Sequence, residues 1–108
     1  MITEEQLPMI CSVVLEIKIL VRRIETPCGM CIPHVATIAI GHDGIIYMRE
    51  TIDDLRRSPQ DNEIKSVIFH NWAEFKAMDT VNFHPAATIA EWATKEHISL
   101  AWLGVKQT

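Results

Sequence analysis

Hydrophobic and polar positions alternate along the first third of the chain. Val13, Leu15, Ile17, Ile19 and Val21 share one parity, and Val14, Glu16, Lys18, Leu20 and Arg22 share the other. A period of two with β-branched residues on one face predicts a strand over 13–22. The second face is mixed, since Val14 and Leu20 sit among its charges. That mixture predicts partial cover by a helix or a partner. An amphipathic helix is the competing reading, and β-branched density disfavours it.

The segment Thr26-Pro27-Cys28-Gly29 breaks the run. His34 to Ile40 reads as a second strand, with Val35, Ile38 and Ile40 apolar. Gly41-His42-Asp43-Gly44 supplies a tight connection, because glycine and aspartate tolerate turn geometry. Ile45 to Arg49 returns as a third strand, completing an antiparallel meander. Thr51 has the side chain of a helix cap, with Asp53 and Asp54 in a first turn and Arg56-Arg57 in a last one. That charge order suits a helix dipole and predicts a short helix ended by Ser58-Pro59.

Residues 63–70 fit either period, and we read them as a strand ending at His70. Asn71 then caps a helix, with Glu74 as its box partner. Pro85 suits a first helical turn, and Ala86 to Glu96 continues a helix in which Glu91 and Lys95 pair at i,i+4. His97 to Val105 is apolar at both parities, which predicts a central strand. At the N-terminus Thr3-Glu4-Glu5-Gln6 has the form of a capping box, limited to one turn by Pro8. The expected architecture is α+β: an antiparallel sheet of about five strands with two or three helices packed on one face.

Composition narrows the function classes. The chain has 108 residues, 48% hydrophobic and 22% charged. That fits one globular domain over 1–108 and argues against disorder. The net charge of -4 removes the basic excess that nucleic-acid binding ordinarily needs. The start carries Glu4 and Glu5 rather than a basic leader. Its apolar stretch, Pro8 to Leu15, is far too short for a bilayer. Three cysteines without an export signal predict reduced thiols and a cytoplasmic location. Mean hydropathy is +0.10, high for a small acidic domain, and predicts apolar surface hidden in a homodimer.

Close-spaced chemistry occurs once, at Cys28-Gly29-Met30-Cys31-Ile32-Pro33-His34. Two thiols at this spacing suit a redox pair or half a zinc site, and His34 is a candidate third ligand. Cys11 is excluded as the fourth if 13–22 is a strand, because at about 3.3 Å per residue it lies tens of ångströms from Cys28. A fourth ligand would have to be His42, His70, His84 or His97, or come from a partner. The bland alternative is that the thiols are small structural hydrophobes.

Pro27-Cys28-Gly29-Met30-Cys31 resembles the Pro-Cys-x-x-Cys half of the zinc site in the cytidine deaminase family. The resemblance spans about five residues and implies an upstream His-x-Glu or Cys-x-Glu, which in that family supplies the third ligand and the glutamate that moves protons. Here Cys11-Ser12-Val13 has valine in place of that glutamate, and Pro33 disfavours the required helix. We therefore expect no deaminase activity.

The five histidines show no metalloprotease spacing, although His70 could meet Asp79 or His84. Asp43, Glu50, Asp53 and Asp54 form an acidic group without calcium-loop spacing. There is no glycine-rich phosphate loop and no nucleophile elbow. Trp72, Trp92 and Trp102 are expected as core or interface anchors, any of which could floor a small-ligand pocket. The reading that results is a non-enzymatic protein without catalytic residues, metal or cofactor. It would bind a protein partner or a small apolar ligand, with neither nucleic acid nor membrane involved. A metal or thiol-redox role for Cys28 and Cys31 is the alternative.

Overall fold

The structure, a computed structural model, describes residues 13–54, 56–58 and 60–107. The capping box at Thr3–Gln6 and Cys11 lie outside the described residues. Four strands form one antiparallel sheet in the order β1-β2-β3-β4, with β1 at Val13–Glu25, β2 at Cys31–Gly41, β3 at Ile46–Ile52 and β4 at Glu63–Phe69. Two helices follow, α1 at Trp72–Ala77 and α2 at Pro85–Lys95, and then a 3-10 turn at Ala101–Leu103. The α+β class holds, with four strands and two α-helices among the described residues.

Register explains which face the helices cover. Ile17 pairs with Ile38 and Ile38 with Met48, while Leu15 pairs with Ile40 and Ile40 with Ile46. Side chains at directly opposed positions lie on the same face of a sheet. These residues therefore form one apolar inner face. It packs with Phe69, Trp72, Phe75, Ala86, Ile89, Ala93 and Leu100 in a single core. Phe75 is fully buried and meets Phe69 and Trp72 edge-on, with ring centroids 5.3 and 5.4 Å away. On the outer face of β1, Val14 and Leu20 remain 55% and 47% exposed, so neither helix covers the mixed side of that strand.

The start of α1 differs slightly from its sequence signature. Asn71 caps it by accepting from the Glu74 N–H at 2.9 Å. Glu74, however, reaches one residue further back than a capping box requires, accepting from the His70 N–H at 3.2 Å and pairing with its ring. Asp79 satisfies the start of α2 from outside, with its two carboxylate oxygens accepting from the Ala86 and Ala87 N–H groups. The Glu91–Lys95 pair forms at 3.3 Å.

Two predicted elements are corrected. The described residues of 51–57 form no helix. Thr51 and Ile52 stay in β3, opposite Val35 and His34. The ladder runs through the cap signal at Thr51 to Ile52, and the Asp53 N–H then donates to the Pro33 carbonyl. Local helix chemistry loses there to sheet pairing. Nor is 97–105 a fifth strand. His97 takes a left-handed φ of 59° and Gly104 one of 82°, which turn the chain at both ends of the segment. The segment is apolar at both parities because it wraps over the core, burying Leu100 to 1% exposure.

Candidate functional site

The chemistry-bearing residues singled out from sequence do not converge. Cys28 sits in the β1–β2 turn, where the Thr26 N–H donates to the Met30 carbonyl and Gly29 takes a φ of 84°. Cys31 begins β2, and His34 is three residues further along the same strand. An odd offset within a strand directs side chains to opposite faces. Cys31 is accordingly exposed, whereas His34 is buried at 6% exposure. Among the described residues no group of three or more histidine, cysteine or acidic side chains is placed to hold a metal ion.

Cys28 has its own polar surroundings. The Thr26 hydroxyl lies 3.1 Å from its sulfur, and an Arg56 guanidinium nitrogen lies 3.9 Å away. Hydrogen bonding from Thr26, then from the Met30 N–H, with Arg56 adding to both, lowers the thiol pKa below its ordinary value. Arg56 is held in place by Asp54, whose carboxylate accepts from its side chain at 3.0 and 3.1 Å. That pairing holds the Asp54 carboxyl below the usual carboxylate range. Arg56 lies 28 positions from Cys28, and nothing local in the sequence announces the pair.

His34 belongs to a different group. Its ring Nε2 hydrogen-bonds with Glu50 Oε1 at 3.1 Å. Lys65 approaches the other Glu50 oxygen at 3.8 Å. His34 Nδ1 is buried without a hydrogen-bond partner. The predicted acidic group also comes apart. Glu50 and Asp54 are buried, while Asp43 serves the β2–β3 turn by accepting from the Ile45 N–H. His70 pairs with Glu74, and Asp79 is engaged at the start of α2, so the pairing of His70 with Asp79 does not form.

A well-formed concavity lies on the helix side. It is a groove of about 580 Å³ between α1, α2 and the segment 103–106. Trp72, Ala73 and Lys76 line one wall, Ala86, Ala87 and Ala90 the second, and Leu103, Gly104, Val105 and Lys106 the third. Four of the lining positions are alanines, whose short side chains leave room between the helices and the third wall. The lining is mostly apolar, its charged members are two lysines, and it contains no acidic residue. Both lysine side chains are on exposed residues.

Gln107 holds the third wall. Its Oε1 accepts from the Leu100 N–H at 2.7 Å. Its Nε2 donates to the Thr94 hydroxyl at 3.2 Å and to the Ile98 carbonyl at 2.9 Å. A second cleft, of about 460 Å³, opens around Lys18, Arg49 and Arg57 together with Asp53 and Asp54. Its charges are mixed in sign and define no ligand class.

Of the three tryptophans, Trp72 is buried and lines the groove, Trp92 packs partly against the core, and Trp102 is 46% exposed. No helix among the described residues is long and apolar enough to cross a membrane. Compared with known proteins, the chain matches no family model, no curated protein and no solved structure.

Proposed function

We propose that this is a small cytoplasmic binding protein whose helix-side groove takes an apolar molecule carrying one acidic head group. One observation carries the reading: an apolar groove whose charged lining residues are Lys76 and Lys106, with no acid between them. Its volume of about 580 Å³ falls within the range of small-ligand sites, roughly 300–1,000 Å³. Trp72 and the alanines offer apolar contact, and lysine stems extend along such surfaces while their ammonium groups meet an anion at the rim. The two lysines are the lining's only ionisable side chains, and no acid or base in the groove is paired with either, so binding is favoured over turnover.

Titration with decanoate, followed by amide NMR shifts, tests this. The expected shifts concentrate at Ala73, Ala87, Ala90 and Val105, with decanol binding more weakly. Exposed charge pairs are worth up to about 1 kcal/mol, so K76Q and K106Q each weaken decanoate by about two- to fivefold and leave decanol unchanged. The Ala87→Trp variant fills the groove from an exposed position and abolishes both. An absence of shifts with either probe at millimolar concentration, or shifts elsewhere, would sink the proposal.

A second reading is favoured by one observation of its own. Cys28 is exposed, its pKa is lowered, and Arg56 stands beside it, the setting of a reactive thiol. On that reading the turn acts in thiol chemistry, and the groove is incidental.

A further inference from the structure

The strand β1 runs 13 residues along the edge of the sheet, and among the described residues no strand pairs with its outer side. Long free edges invite pairing, and proteins ordinarily blunt them with prolines, bulges or charge. Register irregularities between Val13 and Leu15, and between Leu20 and Arg22, bracket a regular run at 15–20 that contains no proline. Within it Leu15, Ile17 and Ile19 are only half-buried, whereas Ala36, Ile38 and Ile40 on β2 are completely buried. The apolar inner face therefore continues to the very edge of the sheet.

The run is also self-complementary. Outward from Ile17, Glu16 mirrors Lys18, Leu15 mirrors Ile19, and Val14 mirrors Leu20. We infer that β1 pairs antiparallel with β1 of a second copy, with Ile17 on the twofold axis, joining two sheets into one of eight strands. Glu16 then stands opposite Lys18 of the partner subunit on the outer face, and the symmetry makes that pair twice. On the inner face Leu15 meets Ile19 of the partner subunit.

Neighbouring registers are worse. A shift that centres the axis on Glu16 sets glutamate against glutamate, and one that centres it on Lys18 sets lysine against lysine. A one-residue slip opposes inner-face to outer-face side chains. Opposite charges directly across a ladder stabilise it and like charges destabilise it, so the charge pattern itself selects the register. Within their own chain Glu16 and Lys18 lie opposite Ala39 and Thr37, which offer no charge.

The inference is independent of any ligand in the groove, and sedimentation of the full chain tests it. The wild type is expected at twice 12.3 kDa. E16K and K18E each place like charges at both symmetric pairs and raise the dimer dissociation constant by about tenfold or more. The double variant E16K/K18E restores opposite charges and recovers the dimer. Both positions are exposed, so circular dichroism should show every variant folded. A monomeric wild type overturns the inference. So does a dimer that ignores the single charge reversals, or one that the double reversal fails to restore.

Discussion

Gln107 makes a sharp test of how the groove is built. Replacing it by alanine removes three hydrogen bonds, to the Leu100 N–H, the Ile98 carbonyl and the Thr94 hydroxyl. A net contribution of about 1 kcal/mol each gives an upper sum near 3 kcal/mol. These groups are only part-buried, and water will partly replace the lost partners, so about 2 kcal/mol is the working figure. With a urea slope of about 1–3 kcal/mol/M, the unfolding midpoint should fall by about 1 M. Gln107→Glu keeps an acceptor for Leu100 but loses both donors and faces the Ile98 carbonyl with negative charge, so it should be no better than alanine. Lys106→Gln, on an exposed neighbour without these bonds, is the control and should leave the midpoint unchanged. Decanoate binding should weaken along with stability, because the third wall loosens. A Gln107→Ala midpoint within about 0.2 M of wild type, well inside the shift expected from the slope, would show that the latch does not hold the wall.

Three further outcomes follow from the packing and the charges. Phe75→Ala should cost about 3–5 kcal/mol, because a fully buried ring with two edge-on aromatic partners leaves a cavity; calorimetry that finds under about 1 kcal/mol would contradict that packing. Cys28 should react with iodoacetamide faster than Cys31 near neutral pH, and Thr26→Val or Arg56→Ala should slow it; equal rates at the two thiols would remove the thiol reading. Asp54 has a lowered folded pKa, so the stability it contributes is fully present above the unfolded carboxylate value of about 3.9 and is lost as pH falls through the folded value. The gap between wild type and Asp54→Asn in urea midpoint should therefore narrow on acidification below about pH 4, and a gap independent of pH would refute the pairing with Arg56.

Much of the sheet was legible because it is written locally. Alternation over 13–22 reports a half-buried strand, and the Gly41–Gly44 turn reports its hairpin. Errors arose where one local pattern serves two tertiary outcomes. Apolar residues at both parities of 97–105 suit a central strand and suit equally a segment wrapped onto a core. Only the left-handed turns at His97 and Gly104 distinguish them. Thr51 to Arg57 satisfies the charge order of a helix, but the ladder opposite His34 and Val35 outweighs a first turn that never nucleates. The groove was not legible at all. It is made by small side chains at 73, 86, 87 and 90 against a tail more than ten residues further on, and space left between elements has no sequence signature. The Cys28–Arg56 approach was hidden for the same reason.

The latch at Gln107 also bears on synthesis. Each strand pairs with its sequence neighbour, so the hairpins can form in the order in which they leave the ribosome. Leu100 and the segment that seals the core follow the sheet and both helices, and Gln107 closes only after all of these have been made. Until then the part of the core around Leu100 lacks its last cover. Chains stopped short of Gln107 should therefore be prone to aggregation and to quality-control proteases, while those stopped beyond it should not.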